Sequence, residues 1–150
     1  MNTEGQLADL PDLNVWLALA ATDHAHHHQA VRYWEQQASP QVLFCTVTAL
    51  GLVRLLSQPK LMGQAVKRSA EASAILQAFC RQPGVSLSLP GHDGWEIVHR
   101  WLSAEELPSR LYTDAYLAAL AIANDWRLVS FDRDFERFKG LNCLSLLPVV

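Results

Sequence analysis

Short apolar runs alternate with longer stretches of helical periodicity along almost the whole chain, and this alternation restricts the fold more than any other feature. VLFC at 42–45, VSLSL at 85–89, RLVSF at 127–131 and LNCLSLL at 141–147 read as strands, as does a first run from Leu7 to Leu10 that Pro11 interrupts. Helices are expected from Asn14 to Ala21, over 24–38 up to Ser39 and Pro40, and over 46–56 until Ser57, Gln58 and Pro59 stop the last of these. Further helices run from Ala65 to Arg81, from Trp95 to Leu102 and from Asp114 to Asn124, the last with Thr113 as N-cap, and FERF at 135–138 makes a short one. Strands separated by helices cannot close as hairpins. They enter a sheet in the same direction, so the pattern predicts a three-layer α/β/α fold with a mainly parallel central sheet.

The 150 residues, half of them hydrophobic, suit a single domain over 1–150 and argue against disorder. The longest apolar stretches, such as LNVWLALAA, fall short of the roughly 20 residues that a membrane span requires. MNTEGQLADL lacks a basic region followed by an apolar one, so a cytoplasmic protein without a membrane partner is expected. Cys45, Cys80 and Cys143 are odd in number, widely spaced and set among apolar residues, which favours reduced structural thiols. A net charge of −3 does not suit nucleic-acid binding by bulk positive charge. Arg54, Lys60, Lys67 and Arg68 offer local cations, though a solvated helix face accounts for them equally simply.

Four aspartates stand where strands give way to helices. Asp12 follows QLADLP, Asp114 opens TDAYLAALA, and Asp132 and Asp134 follow RLVSF. An aspartate at a helix start is ordinarily a cap favoured by the helix dipole. In a parallel α/β sheet, however, these places lie along one edge, where the carboxylates can converge. All-oxygen ligands favour Mg²⁺ or Mn²⁺ over Zn²⁺, and such ions act on phosphate esters. The chain has no Gly-rich phosphate loop with Lys, no nucleophile elbow and no paired-Cys motif. A phosphoaspartyl enzyme would want a second Asp where Asn14 stands. His24, His26, His27 and His28 include an i, i+4 pair, but they lack the remaining ligands of a zinc site and read as helix packing and capping.

The runs LPDLNVWLALAATDHAHHHQAVRYW, TVTALGLVRLLSQP, YTDAYLAALAIANDWRLVSFDRDFERF and LNCLSLL resemble, in order and over nearly the whole chain, the PIN-domain ribonuclease toxins of bacterial VapBC toxin–antitoxin modules. That resemblance implies a PIN-like fold and a metal-dependent endoribonuclease toxin that cleaves single-stranded parts of RNA, tRNA or rRNA. It implies Asp12, Asp114 and Asp132 as catalytic metal-site acids for Mg²⁺ or Mn²⁺, with Asp134 as an outer helper. It also implies a cognate VapB-like antitoxin across the acidic cleft, and a homodimer formed through helices near the N-terminal half. Asn14 would orient Asp12 or cap the helix, and Thr46 or Thr48 would support the site or cap. Arg54 would meet phosphate, an internal acid or the antitoxin. The family's further acid near the start of the helix after the second strand is missing from Thr46–Gly51, where Ala49 is the nearest position. This departure implies one well-held metal and a weaker second, and leaves a catalytically weak or inactive RNA- or partner-binding module as the alternative. A DNA-directed metal nuclease is a third reading.

Overall fold

The computed structural model describes residues 7–88, 91–104 and 107–147. Its sheet has five strands, β1 (Ala8–Pro11), β2 (Gln41–Phe44), β3 (Val85–Leu87), β4 (Arg127–Ser130) and β5 (Cys143–Ser145), in the order β3-β2-β1-β4-β5 with every pairing parallel. The helices are α1 (Leu13–Ala20), α2 (His27–Arg32), α3 (Thr46–Leu56), α4 (Pro59–Met62), α5 (Ser69–Cys80), α6 (Trp95–Ala104) and α7 (Tyr112–Asn124).

Successive strand residues point to opposite faces, and the cores divide accordingly. Leu10 and Leu128 pack with Leu117, Leu120 and Ala121 of α7. On the other face Val42, Phe44 and Val85 meet Trp16 and Leu17 of α1, Leu52 and Leu56 of α3, and Ala72 of α5, while Val129 joins Val15, Ala30 and Tyr33. The central β1 is buried throughout, as a strand covered on both sides must be. The three-layer α/β/α expectation therefore stands, with the sheet wholly parallel rather than mainly so. At Gly94, φ is +73° and a Cβ would come within 2.7 Å of the Ala119 backbone. Glycine thus lets the start of α6 lie against α7.

Several sequence boundaries are corrected. Pro11 ends β1 instead of interrupting it, pairing with Val129 while the next N–H, of Asp12, donates to the Val129 carbonyl. The second helix starts at His27, not at 24, because the His24 ring accepts the His26 N–H and holds a local turn. It ends as a π-turn over Tyr33–Gln37. Pro59 does more than stop α3: it occupies the first turn of α4, where its missing N–H costs nothing. The helix expected from Ala65 begins at Ser69, where Glu71 accepts the Arg68 N–H and fixes the start. Thr113 is not the N-cap of α7. A 3-10 turn over Ser109–Leu111 runs directly into the helix, leaving Leu111 in the cap position with no side-chain cap and Thr113 exposed inside the first turn. Strand ends are shorter than their apolar runs at β4 and β5, FERF lies in a 3-10 turn (Arg133–Arg137), and Leu89 lies outside the described residues.

Candidate active site

β1 lies between β2 and β4, so the chain leaves it toward one side of the sheet and returns on the other. The carboxyl ends of β1 and β4 therefore flank a switch point, where a parallel sheet opens a crevice. Asp12 follows β1 and Asp132 follows β4 after one intervening residue. Asp134 sits in the 3-10 turn beyond, and Asp114 lies in the first turn of α7.

Asp12 forms the floor. It is 7% exposed, and its carboxylate accepts the Leu13 N–H at 2.6 Å and the Ser130 hydroxyl at 3.1 Å. Ser130 in turn accepts the Asp132 N–H at 2.9 Å, so one buried hydroxyl ties the two strand ends together. Asp132 also caps its own turn by accepting the Asp134 N–H at 2.8 Å. Burial raises the Asp12 pKa despite these two donors, and Asp132 adds to the rise. Asp114 is pushed up to about 6, first by burial and then by the negative charges of Asp12, Asp132 and Asp134, with only Arg110 opposing.

Asp114, Asp132 and Asp134 each present an oxygen within 4.8 Å of the others, and they are the only such group among the described residues. Oxygens sharing one cation at about 2.1–2.4 Å lie no more than about 4.2–4.8 Å apart, so the three fit a hard divalent ion. Asp134, placed by sequence at the rim, thus stands level with Asp114 and Asp132. The histidines form no comparable group: the His27 ring meets the Ala18 carbonyl at 2.7 Å, and His26 stacks on Phe131.

The supporting residues separate clearly. Asn14 is exposed in the first turn of α1, beside the edge, and Thr46 is exposed at the first position of α3. Thr48 is fully buried and engaged with Cys45, accepting its N–H at 3.0 Å and donating to its carbonyl at 3.1 Å. Of the two readings for Thr48, capping is the one its contacts fulfil. Arg54 lies eight positions along α3, about 12 Å from the edge, and forms no ion pair among the described residues. Ala49 is 5% exposed and packs in the core, so it is the wrong place from which to restore the missing acid. Two residues at this edge escaped sequence reasoning. Ser130 looked like one more position in a strand, and Arg110, whose Nη1 donates to Asp134 Oδ2 at 3.1 Å, lies in a turn without periodicity.

Fold and side chains together define a class, α/β domains with an acidic cluster at the carboxyl edge of a parallel sheet. The PIN domain pattern matches residues 10–141. Ribonuclease VapC41 of Mycobacterium tuberculosis is 32% identical over 137 residues, covering 88% of this chain and 94% of its own. Among solved structures, VapBC2 from Rickettsia felis, bound to a DNA fragment from its promoter, matches with a TM-score of 0.65 at 11% identity, over 93% of this chain and 98% of that one. M. tuberculosis VapC20, described as a sarcin-ricin loop cleaving toxin, has a TM-score of 0.65 at 22% identity, over 89% and 98%. The chain belongs to the PIN-domain family and, within it, to the VapC ribonucleases.

Proposed function

We propose that this chain is a Mg²⁺- or Mn²⁺-dependent endoribonuclease toxin that hydrolyses phosphodiester bonds in single-stranded regions of RNA, with tRNA or rRNA as substrate. The observation that carries this reading is the convergence of Asp114, Asp132 and Asp134 above a buried Asp12 in a chain of the VapC family. A divalent cation at these oxygens would polarise the phosphoryl group and make water nucleophilic at neutral pH. Asp114, Asp132 and Asp134 would hold that ion, and Asp12, outside this set, would add negative charge beside it. Leu13 N–H and Ser130 fix the Asp12 carboxylate, which keeps the floor rigid as charge shifts above it.

A cognate VapB-like antitoxin restrains the enzyme, a reading supported by the structural likeness to a VapBC complex. The protein works as a homodimer in the cytoplasm. Association is supported by the apolar side chains left exposed on α3, in the N-terminal half, and on α6 and α7, including Val47, Leu50, Trp95, Leu102 and Tyr112. Among the described residues no helix is long and apolar enough to cross a membrane.

The test is cleavage of a mixed RNA pool with Mg²⁺, with Mn²⁺ and with chelator, alongside Asp114→Asn. Cleavage that needs the ion and disappears in a folded Asp114→Asn protein supports the reading. RNA binding without cleavage under any of these conditions would instead establish the binding module.

A further inference from the structure

The acidic cluster has a cation of its own. Arg110 lies in the 3-10 turn before α7, anchored by the adjacent Leu111, which is 1% exposed and packed in the core. The arginine side chain remains 67% exposed, and its guanidinium holds Asp134 Oδ2 at 3.1 Å. It is also the single positive group acting against the negative charges around Asp114.

An ion pair this exposed contributes little to stability. Its location matters more than its strength, because the carboxylate it holds, Asp134, belongs to the set that fits a divalent ion. Ion and guanidinium thus compete for one acid. The planar fork of arginine matches phosphate as well as carboxylate, and a side chain on an exposed turn can exchange one for the other.

We infer that Arg110 is a displaceable counter-ion of the cluster, which yields Asp134 to the entering divalent cation and then binds an RNA phosphate beside the bond being cleaved. The inference rests on the metal-dependent ribonuclease reading above and adds a substrate-contacting residue to it. It requires two effects of opposite sign. Removing the charge should favour the metal and disfavour the RNA, a combination that a merely structural arginine would not produce.

The experiment titrates the pure protein with Mn²⁺ in the absence of RNA, by calorimetry or by electron paramagnetic resonance of free Mn²⁺, and separately measures kcat and KM for RNA cleavage. Arg110→Gln should bind Mn²⁺ about three- to tenfold more tightly, since a positive charge has left the site. Its kcat/KM at saturating Mn²⁺ should fall about tenfold or more, mainly through KM, with the loss of a charge-assisted phosphate contact. Arg110→Lys should keep Mn²⁺ affinity near wild type and recover only part of kcat/KM, lacking the fork. Arg81→Gln, an exposed arginine just past the end of α5, should move neither quantity. Unchanged or weaker Mn²⁺ binding by folded Arg110→Gln overturns the counter-ion role, and unchanged kcat/KM overturns the phosphate contact. If Arg110→Gln does not fold, full recovery of kcat/KM by Arg110→Lys or a shifted Mn²⁺ affinity in it has the same force. A wild-type protein that neither binds Mn²⁺ nor cleaves RNA would remove the ribonuclease reading itself, a result distinct from any of these.

Discussion

Asp9 and Asp12 lie three residues apart, one within the buried strand β1 and the other just past its end, and live in opposite circumstances. Asp9, fully buried toward the amino end of the sheet, takes a two-pronged contact from Arg127 at 2.9 Å and 2.9 Å, the Tyr33 hydroxyl at 2.6 Å, and both the hydroxyl and N–H of Ser39. Burial pushes its pKa up, but Arg127, Ser39 and Tyr33 together overrule it and hold the carboxyl below its ordinary value. Asp12, at the carboxyl end, has two neutral donors and acidic neighbours, and its pKa rises. The difference separates an acid satisfied by its neighbours from acids that are not. Every demand of Asp9 is met inside the protein, whereas the acids around Asp12 remain undercompensated and suited to a cation from outside.

The comparison is sharpened most by exchanging charge for shape at each end. Asp114→Asn should lower RNA cleavage by about 100-fold or more, since even partners outside a ligand set are worth 10–100-fold. The same change should leave circular dichroism intact and raise the melting temperature of the chelated protein by relieving repulsion. Asp9→Asn should do the reverse. Loss of the bidentate partner of Arg127 should destabilise the fold by about 3 kcal/mol in urea denaturation, with kcat per folded molecule unchanged. If Asp9→Asn lost cleavage while remaining stable, the division between the two ends would collapse.

Ser130→Ala tests the link between the strand ends. It should cost about tenfold in cleavage and about 1 kcal/mol in stability, because Asp12 and the Asp132 N–H each lose a partner. The smallest effect is in pH. Asp114 titrates at about 6 against an ordinary value of 3.8, so the native chain retains a proton there that the unfolded chain releases. Its contribution to stability is fully present below about 3.8 and is lost as pH rises through about 6. Melting curves in chelator should therefore fall over that window for wild type relative to Asp114→Asn, and Mn²⁺ affinity should climb as pH passes upward through it. Parallel curves for the two proteins would show that Asp114 does not feel its neighbours.

What the sequence revealed followed from how local each signal is. The places of Asp12, Asp114 and Asp132 along the sheet edge were legible because strand ends and helix starts are written in contiguous residues, and a parallel sheet brings such places to one edge. Asp9 was illegible. Its partner Arg127 is 118 residues away, and nothing in LADLP distinguishes a paired aspartate from a solvated one. The π-turn that carries Tyr33 toward Asp9 and the Gln37 carbonyl to within 2.8 Å of Arg127 also leaves no simple periodic trace. Thr113 misled because a good capping residue is decisive only if the chain reaches it in a non-helical conformation, and here a 3-10 turn arrives first. Arg110 was lost in the same turn.

The pairing of β1 with β4 also sets when the acidic edge can form during synthesis. Asp12 emerges early in synthesis, yet the hydroxyl that seats it belongs to Ser130, 118 residues later, and Asp132 and Asp134 follow after that. Such distant contacts form slowly and only once their second half exists. Ribosome-bound chains stopped before β4 carry one acid of the four at most beside Asp114, with neither the buried hydroxyl nor the second strand end. Until β4 has been made, the acidic edge of the sheet cannot be complete.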